Sequence, residues 1–207
     1  MSRSLASAFP NVVAAAAVAV VLAACSITRP SPVKEMYLIE PPAAAPVAAK
    51  SAKSARIGTV TVAAPYRDRA FVVREADLRF ENDYYHEYVV APAAMIAEGV
   101  ARSLAGAGVF AKVIPPGAPP ESDLTIDAFV GSLYADNRDP KAPAAVLDIT
   151  FYVSRSDAGA PFWSRSYSRR TVMTSVSAAT YAAAQSASFG EIMAEFARDL
   201  AAEKALY

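Results

Sequence analysis

Leu124-Thr125-Ile126-Asp127-Ala128-Phe129-Val130 and Leu147-Asp148-Ile149-Thr150-Phe151-Tyr152-Val153-Ser154 decide the fold. Leu124, Ile126, Ala128 and Val130 alternate with Thr125, Asp127 and Phe129, and Leu147, Ile149, Phe151 and Val153 alternate with Asp148, Thr150, Tyr152 and Ser154, which is the period of a half-buried strand. A polar loop at 136–143 separates them. Asp157-Ala158-Gly159 is a turn signal, and residues 162–174 run back as the third strand of a meander. On that third strand Trp163, Arg165, Tyr167, Arg169 and Thr171 share one face. The face is polar-aromatic rather than dry, which suits a solvated side or a partner surface.

Working toward the N-terminus, residues 57–64 alternate, are rich in β-branched side chains and lack charge beyond their start, as a central strand does. Pro65 stops it. Residues 71–74 form the next strand and 78–80 the one after. Pro92 then opens a helix at the position where a missing N–H costs nothing. Met95, Ile96, Val100 and Leu104 give it one apolar stripe, while Ala93, Ala97 and Ala101 keep it slim enough for close packing on a sheet. Gly106 and Gly108 end it. Residues 109–114 return as a strand, broken off by Pro115-Pro116-Gly117 and Pro119-Pro120.

Toward the C-terminus, residues 178–204 read as helix. Phe189, Ile192, Met193, Phe196 and Leu200 make its apolar stripe, with Glu191, Glu195, Arg198, Asp199 and Glu203 on the other side. Ser188 with Glu191 fits a capping box that starts the helix late, whereas the run from Tyr181 argues for an earlier start. One long helix is the preferred reading. Strands thus group together instead of alternating with helices. The expected class is α+β: a mixed, mostly antiparallel sheet with two helices packed on one face.

The chain begins with a short segment whose only charge is Arg3, followed by an apolar run over residues 12–24 and then Cys25, the sole cysteine. Thirteen residues are too few to span a bilayer, which takes ~20, but suit a secretory h-region. Residues 1–24 are therefore expected to be a signal peptide. Leu22-Ala23-Ala24-Cys25 resembles the lipobox of bacterial lipoproteins, in which the cysteine is acylated and becomes the new amino terminus. Two or more acyl chains anchor a protein stably where a single ~14-carbon chain holds it only marginally. By the same resemblance Ser26, in place of Asp, sorts the protein to the outer membrane. Residues 25–55 are rich in Pro, Ala, Ser and Lys and read as a tether. Met36-Tyr37-Leu38-Ile39 interrupts it, either as a short edge strand near 36–39 or as part of a tether that is flexible throughout. Residues 56–207 remain as a single α+β domain.

The mature chain of 183 residues can bury a real core. Its formal charge is zero overall and −1 once Arg3 is removed. No Lys/Arg cluster offers a nucleic-acid surface. With Cys25 used for lipid, no internal disulfide remains.

No catalytic constellation stands out. The Gly-x-Ser-x-Gly elbow, the His-Glu-x-x-His helix and the phosphate-binding loop are missing, so no catalytic residue is assigned and no cofactor is expected. His86, the only histidine, lies in Asp83-Tyr84-Tyr85-His86-Glu87-Tyr88. Asp83 and Glu87 make a poor zinc set with it, so no metal is expected. Either carboxylate suits a proton-transfer pair with His86, but the preferred reading is the simpler one, a polar histidine at the exposed edge of a tyrosine-rich loop. Tyrosines offer contact area with few torsions and a polar tip. Tyr84 and Tyr88 are assigned to an interface and Tyr85 to packing.

Several of these elements come in a telling order. The lipobox, the Tyr37-x-Ile39 island and Pro65-Tyr66-Arg67-Asp68-Arg69 precede Phe71-Val72-Val73-Arg74. The Tyr-rich turn, the helix ending Ser103-Leu104 and Val109-Phe110-Ala111-Lys112-Val113 follow. This order resembles the auxiliary lipoproteins of ABC-type transport systems, including the paraquat-inducible lipoprotein family. Many members carry a Trp before the first helix, where Tyr88 stands here. The resemblance implies a non-enzymatic component of a system that moves lipids between the two membranes. It would be lipid-anchored in the inner leaflet of the outer membrane, facing the periplasm, beside an ABC permease/ATPase and an MCE-domain protein. Homo-oligomerisation is compatible with that role. Tyr66, Arg69, Tyr84, Tyr88, Trp163 and Tyr167 are the expected partner interface. The competing functions are an assembly or structural lipoprotein for an outer-membrane channel or envelope complex, and a periplasmic hydrolase with an unrecognised site.

Overall fold

Among the described residues, eight strands and two α-helices follow one another as β1 (Glu35–Tyr37), β2 (Ser51–Val62), β3 (Ala70–Arg74), β4 (Phe80–Tyr88), α1 (Pro92–Ala107), β5 (Phe110–Ile114), β6 (Leu124–Asp136), β7 (Ala144–Arg155), β8 (Pro161–Val172) and α2 (Ala178–Ala202). The computed structural model describes residues 33–48, 50–118 and 121–206. The signal-peptide pattern of residues 1–24, Cys25 and Ser26 lie outside the described residues.

The alternation in β6 and β7 becomes an antiparallel ladder running from Leu124 opposite Arg155 to Asp136 opposite Ala144. β8 continues it against β7, from Val172 opposite Ala144 to Pro161 opposite Ser154. Ile126, Val130, Ile149, Phe151 and Val153 are buried on the helix-covered face. Asp127, Thr150 and Tyr152, the intervening residues, are only partly buried.

The free edge of β6 is shared by two strands, so the sheet forks. β2 pairs in parallel with its first half, Ala55 opposite Leu124 through Val62 opposite Val130. β3 takes its end, with Val73 opposite Ala135 and Arg74 opposite Asp136. β5 extends the first branch in parallel, while β4 and then β1 extend the second. The result is α+β, a mixed sheet whose long ladders are antiparallel, as the residue pattern implies.

Both helices cover one face of this sheet, α1 over β2 and β5, α2 over β7 and β8, and they touch each other. Pro92 starts α1, and Gly108 ends it in the left-handed region at φ 65°, where its N–H reaches the carbonyls of Leu104 and Ala105. Gly99 lets the helices close together, because a Cβ there would strike the Phe189 ring. α2 is one long helix. Its cap is Ser177, whose side chain accepts the N–H of Thr180, and Ser188 is buried in mid-helix, hydrogen-bonded to Thr171 at 2.7 Å. A capping box at Ser188 is therefore excluded.

Two sequence expectations change. The face of Trp163, Arg165, Tyr167, Arg169 and Thr171 lies under α2, not in solvent or against a partner. Tyr167 donates to Asp199 at 2.6 Å, Arg165 pairs with Asp199 at 2.7 Å, and Arg169 pairs with Glu191 and Glu195. The polar side of α2 supplied the missing half of that face. Residues 34–48 and 50–55 also belong to the body rather than to a tether. β1 is a true edge strand, parallel to β4. From there the chain crosses the helices as a strap: Ile39 is fully buried with its N–H on Met95 Sδ, Glu40 N–H reaches Ser186 Oγ at 3.1 Å, and Val47 N–H reaches Ala107 O at 2.9 Å. β2 then begins at Ser51, six residues before the expected start.

Candidate functional site

β4 is where the ladder breaks. Ala70 lies opposite Glu87 and Val72 opposite Asn82, so two steps along β3 are met by five along β4. The surplus is a bulge over residues 83–86, inside a strand where the sequence suggested a turn. Asp83 shapes it. Its Oδ1 accepts the backbone N–H of Tyr85 at 2.8 Å and of His86 at 3.1 Å, and its Oδ2 lies 2.7 Å from His86 Nδ1. Burial raises the Asp83 pKa, but these hydrogen bonds from His86 and the backbone outweigh it and hold the carboxyl below its ordinary value. An ionised carboxylate only accepts, so His86 Nδ1 is the donor of this hydrogen bond. His86 Nε2 is 3.9 Å from Glu35 on β1.

Inside the bulge, His86 and Asp83 face a cleft of about 180 Å³, walled by Phe71, Val73, Met173, Tyr181 and Asn137. Tyr181 shares a buried hydrogen bond with Tyr88, oxygen to oxygen 2.9 Å, and receives Gln185 Nε2 at 3.3 Å. Burial pushes both phenol pKa values up, so the pair is neutral. Outside the bulge, the Tyr84 and Tyr85 rings meet edge to face, 5.2 Å apart, and Lys34 sits 5.5 Å from the Tyr84 ring centre.

The arrangement orients one imidazole and offers it a carboxylate, which is two parts of a proton-transfer unit. Ser177 lines the same cleft but is committed as the cap of α2. Among the described residues, no group of three or more His, Cys, Asp or Glu converges as metal ligands.

The expected interface residues do not come together. Tyr84 is well exposed. Tyr66 is half-buried, stacked on Tyr134 at 5.8 Å. Arg69 is taken up by structure, donating to Tyr88 O at 2.8 Å and to Glu87 at 2.6 Å. Trp163 is half-buried, its ring 5.7 Å from Phe196 of α2. Tyr88 and Tyr167 are 1% and 3% exposed, so neither presents a surface to a partner. Tyr85, assigned to packing, is instead half-exposed. The bulge explains the exchange: it shifts the alternation, turning Tyr85 out while Tyr88 stays in the core. Glu87 pairs with Arg69 and Lys34, leaving Asp83 as the partner of His86.

One charged cluster escaped the sequence reading. Asp136, 2% exposed at the end of β6, is gripped by Arg138 at 3.0 Å and Arg170 at 2.6 Å. The hydrogen bond from Arg138, with that from Arg170, holds its pKa at about 2 against the opposing effect of burial. The cluster ties the loop after β6 to β8 beside the fork. An acidic residue closing an alternating strand was its only sequence signal.

No protein-family model and no curated protein matches the chain. Solved structures do. Protein XCC0632 from Xanthomonas campestris, of the family model DUF330, superposes with a TM-score of 0.71 at 16% identity, covering 79% of this chain and 92% of its own. A protein described only as uncharacterized gives 0.65 at 9% identity, covering 81% and 99%. At these identities the likeness establishes a shared fold. Lipoprotein GNA1162 from Neisseria meningitidis also matches, with a TM-score of 0.40 at 12% identity over 72% of this chain and 99% of that one.

Proposed function

We propose that this protein is a bacterial envelope lipoprotein, anchored through acyl chains on Cys25 in the inner leaflet of the outer membrane and facing the periplasm. There it serves, without catalysing a reaction, as an auxiliary component of an ABC/MCE-type lipid-transport system. The observation that carries the reading is Leu22-Ala23-Ala24-Cys25 at the end of a 13-residue apolar run, placed directly before an α+β body. Among the described residues no helix is long and apolar enough to cross a membrane, so the body supplies no helical anchor of its own. The shared fold with XCC0632 is compatible with the resemblance to transport-auxiliary lipoproteins.

The strap shortens the reach. Counted to residue 57, the strand start expected from the sequence, a free tether would reach at most ~100 Å; counted to Lys34, nine residues beyond Cys25, the upper bound is ~30 Å at ~3.3 Å per residue. Cys25→Ser tests the anchor: mass spectrometry of the wild-type amino terminus should show acyl chains, and the variant should leave the outer-membrane fraction. Normal processing and fractionation of Cys25→Ser overturn the reading. Pull-down of the lipidated protein should recover an MCE-domain protein; recovery of an outer-membrane channel instead would favour the assembly role.

A further inference from the structure

Among the described residues the largest group of exposed apolar side chains lies beside the point where the chain enters the body, while Leu78, Phe80, Phe129, Val172 and Val176 are exposed elsewhere. Met36, Leu38, Tyr84, Tyr85, Val89 and Val90 are each between 42% and 65% exposed. They are neighbours through β1 and β4: Met36 lies opposite Glu87, Val89 N–H reaches Tyr37 O at 2.9 Å, and Lys34 bridges Glu87 at 3.1 Å and the Tyr84 ring. At the other end of the strand order, β8 turns Ser164, Ser166, Ser168 and Arg170 outward. Clustered apolar exposure of this kind marks a contact surface.

We infer that this patch lies against the bilayer that holds the acyl chains, with Tyr84, Tyr85 and the flanking aliphatic side chains seated in the headgroup layer. The inference rests on the lipid anchor proposed above. Three observations select a membrane as the occupant. The patch adjoins Lys34, which covalent geometry keeps within ~30 Å of Cys25. Two tyrosines lead it, and tyrosine, with an apolar ring and a polar tip, favours the membrane–water interface. Its charges balance locally, Lys34 and Arg69 against Glu87 and Glu35, so seating needs no anionic lipid. The Asp83 bulge then has a purpose: it turns Tyr84 and Tyr85 out of the sheet while His86 faces the cleft.

The native chain has one cysteine, which the anchor uses, so an added cysteine is a unique labelling site. Full-length lipidated protein carrying an environment-sensitive fluorophore at Tyr84→Cys, or at Val90→Cys as a second position, is reconstituted into phosphatidylethanolamine/phosphatidylcholine vesicles. Expected is a blue-shifted emission at both positions, quenched at least twofold by brominated lipid. A probe at Ser166→Cys should keep its aqueous spectrum. Floating vesicles bearing acylated protein with all three probes aqueous would overturn the inference while leaving the anchor intact. A shift that appears only on adding a partner protein would reassign the patch to protein docking and overturn it too. Protein without acyl mass that fails to float removes the anchor and the inference with it.

Discussion

The β6–β7–β8 region and the β3–β4–β1 arm belong to one sheet, yet they are held by different means. The first has long antiparallel ladders and a face sealed by α2, with Phe196 stacked on Phe151 at a centroid distance of 4.0 Å and both fully buried. The second joins β6 through only Val73 and Arg74, carries a bulge, and is fastened by Arg69, Glu87, Lys34 and Asp83. Apolar burial fixes the first along its whole length and the second only at Phe71, Val72 and Tyr88. Directed polar contacts shape the outer part of the second, and they let it keep aromatic side chains exposed.

The sharpest way to break this contrast is truncation on each side. Phe196→Ala should cost about 3–5 kcal/mol, since it removes a fully buried ring that also lies beside Trp163 and Tyr167. Phe80→Ala on the arm should cost only about 1–2 kcal/mol, because that ring is 41% exposed and its buried part meets Tyr134 and Arg74. Urea unfolding monitored by far-UV circular dichroism reads both. Equal losses would mean that the arm is as tightly bound into the core as the meander.

This contrast also explains what was legible. Period-two alternation needs no partner to be visible, so β6, β7 and β8 stand out in the residues themselves. The stripe of Phe189, Ile192, Met193, Phe196 and Leu200 likewise declares α2. The face containing Tyr167 and Arg169 looked wet because its partners, Asp199, Glu191 and Glu195, lie over 20 residues away in α2. The strap was hidden for a different reason. Pro41, Pro42 and Pro46 read as linker composition, and only tertiary contact shows that a Cβ on Gly190 would strike Pro42. At the site, the nearness of Asp83 to His86 was legible from spacing. The bulge was not, because it depends on β3 offering fewer residues than β4.

A test of the fork follows from Asp136. Its folded pKa, at about 2, is depressed below the ordinary carboxyl value of ~3.9 in the unfolded chain. The unfolded state therefore binds the extra proton between those values. Stability from Asp136 is fully present above pH ~4 and is lost as the pH falls toward 2. The size is on the order of 2 kcal/mol. Asp136→Asn should lower stability at pH 7 by about that amount and flatten the acid limb of a stability–pH profile. An unchanged limb would mean that Arg138 and Arg170 find their energy elsewhere.

The smallest effect falls on the bulge itself. Asp83→Ala deletes the acceptor of two backbone N–H groups and of His86, at a site partly open to water that can satisfy them. Global stability should fall by only ~1 kcal/mol. Locally the change should be larger in kind: hydrogen exchange at the Tyr85 and His86 amides should quicken about fivefold, the factor ~1 kcal/mol implies, while β7 amides do not change. Tyr84 and Tyr85 keep their chemistry in this variant and lose only their presentation. A vesicle-bound protein that loses the blue-shifted signal at Val90 in the Asp83→Ala background would show that the bulge geometry, rather than apolar composition alone, seats the patch. If the signal survives, greasiness suffices and the precise break in the ladder serves the cleft instead.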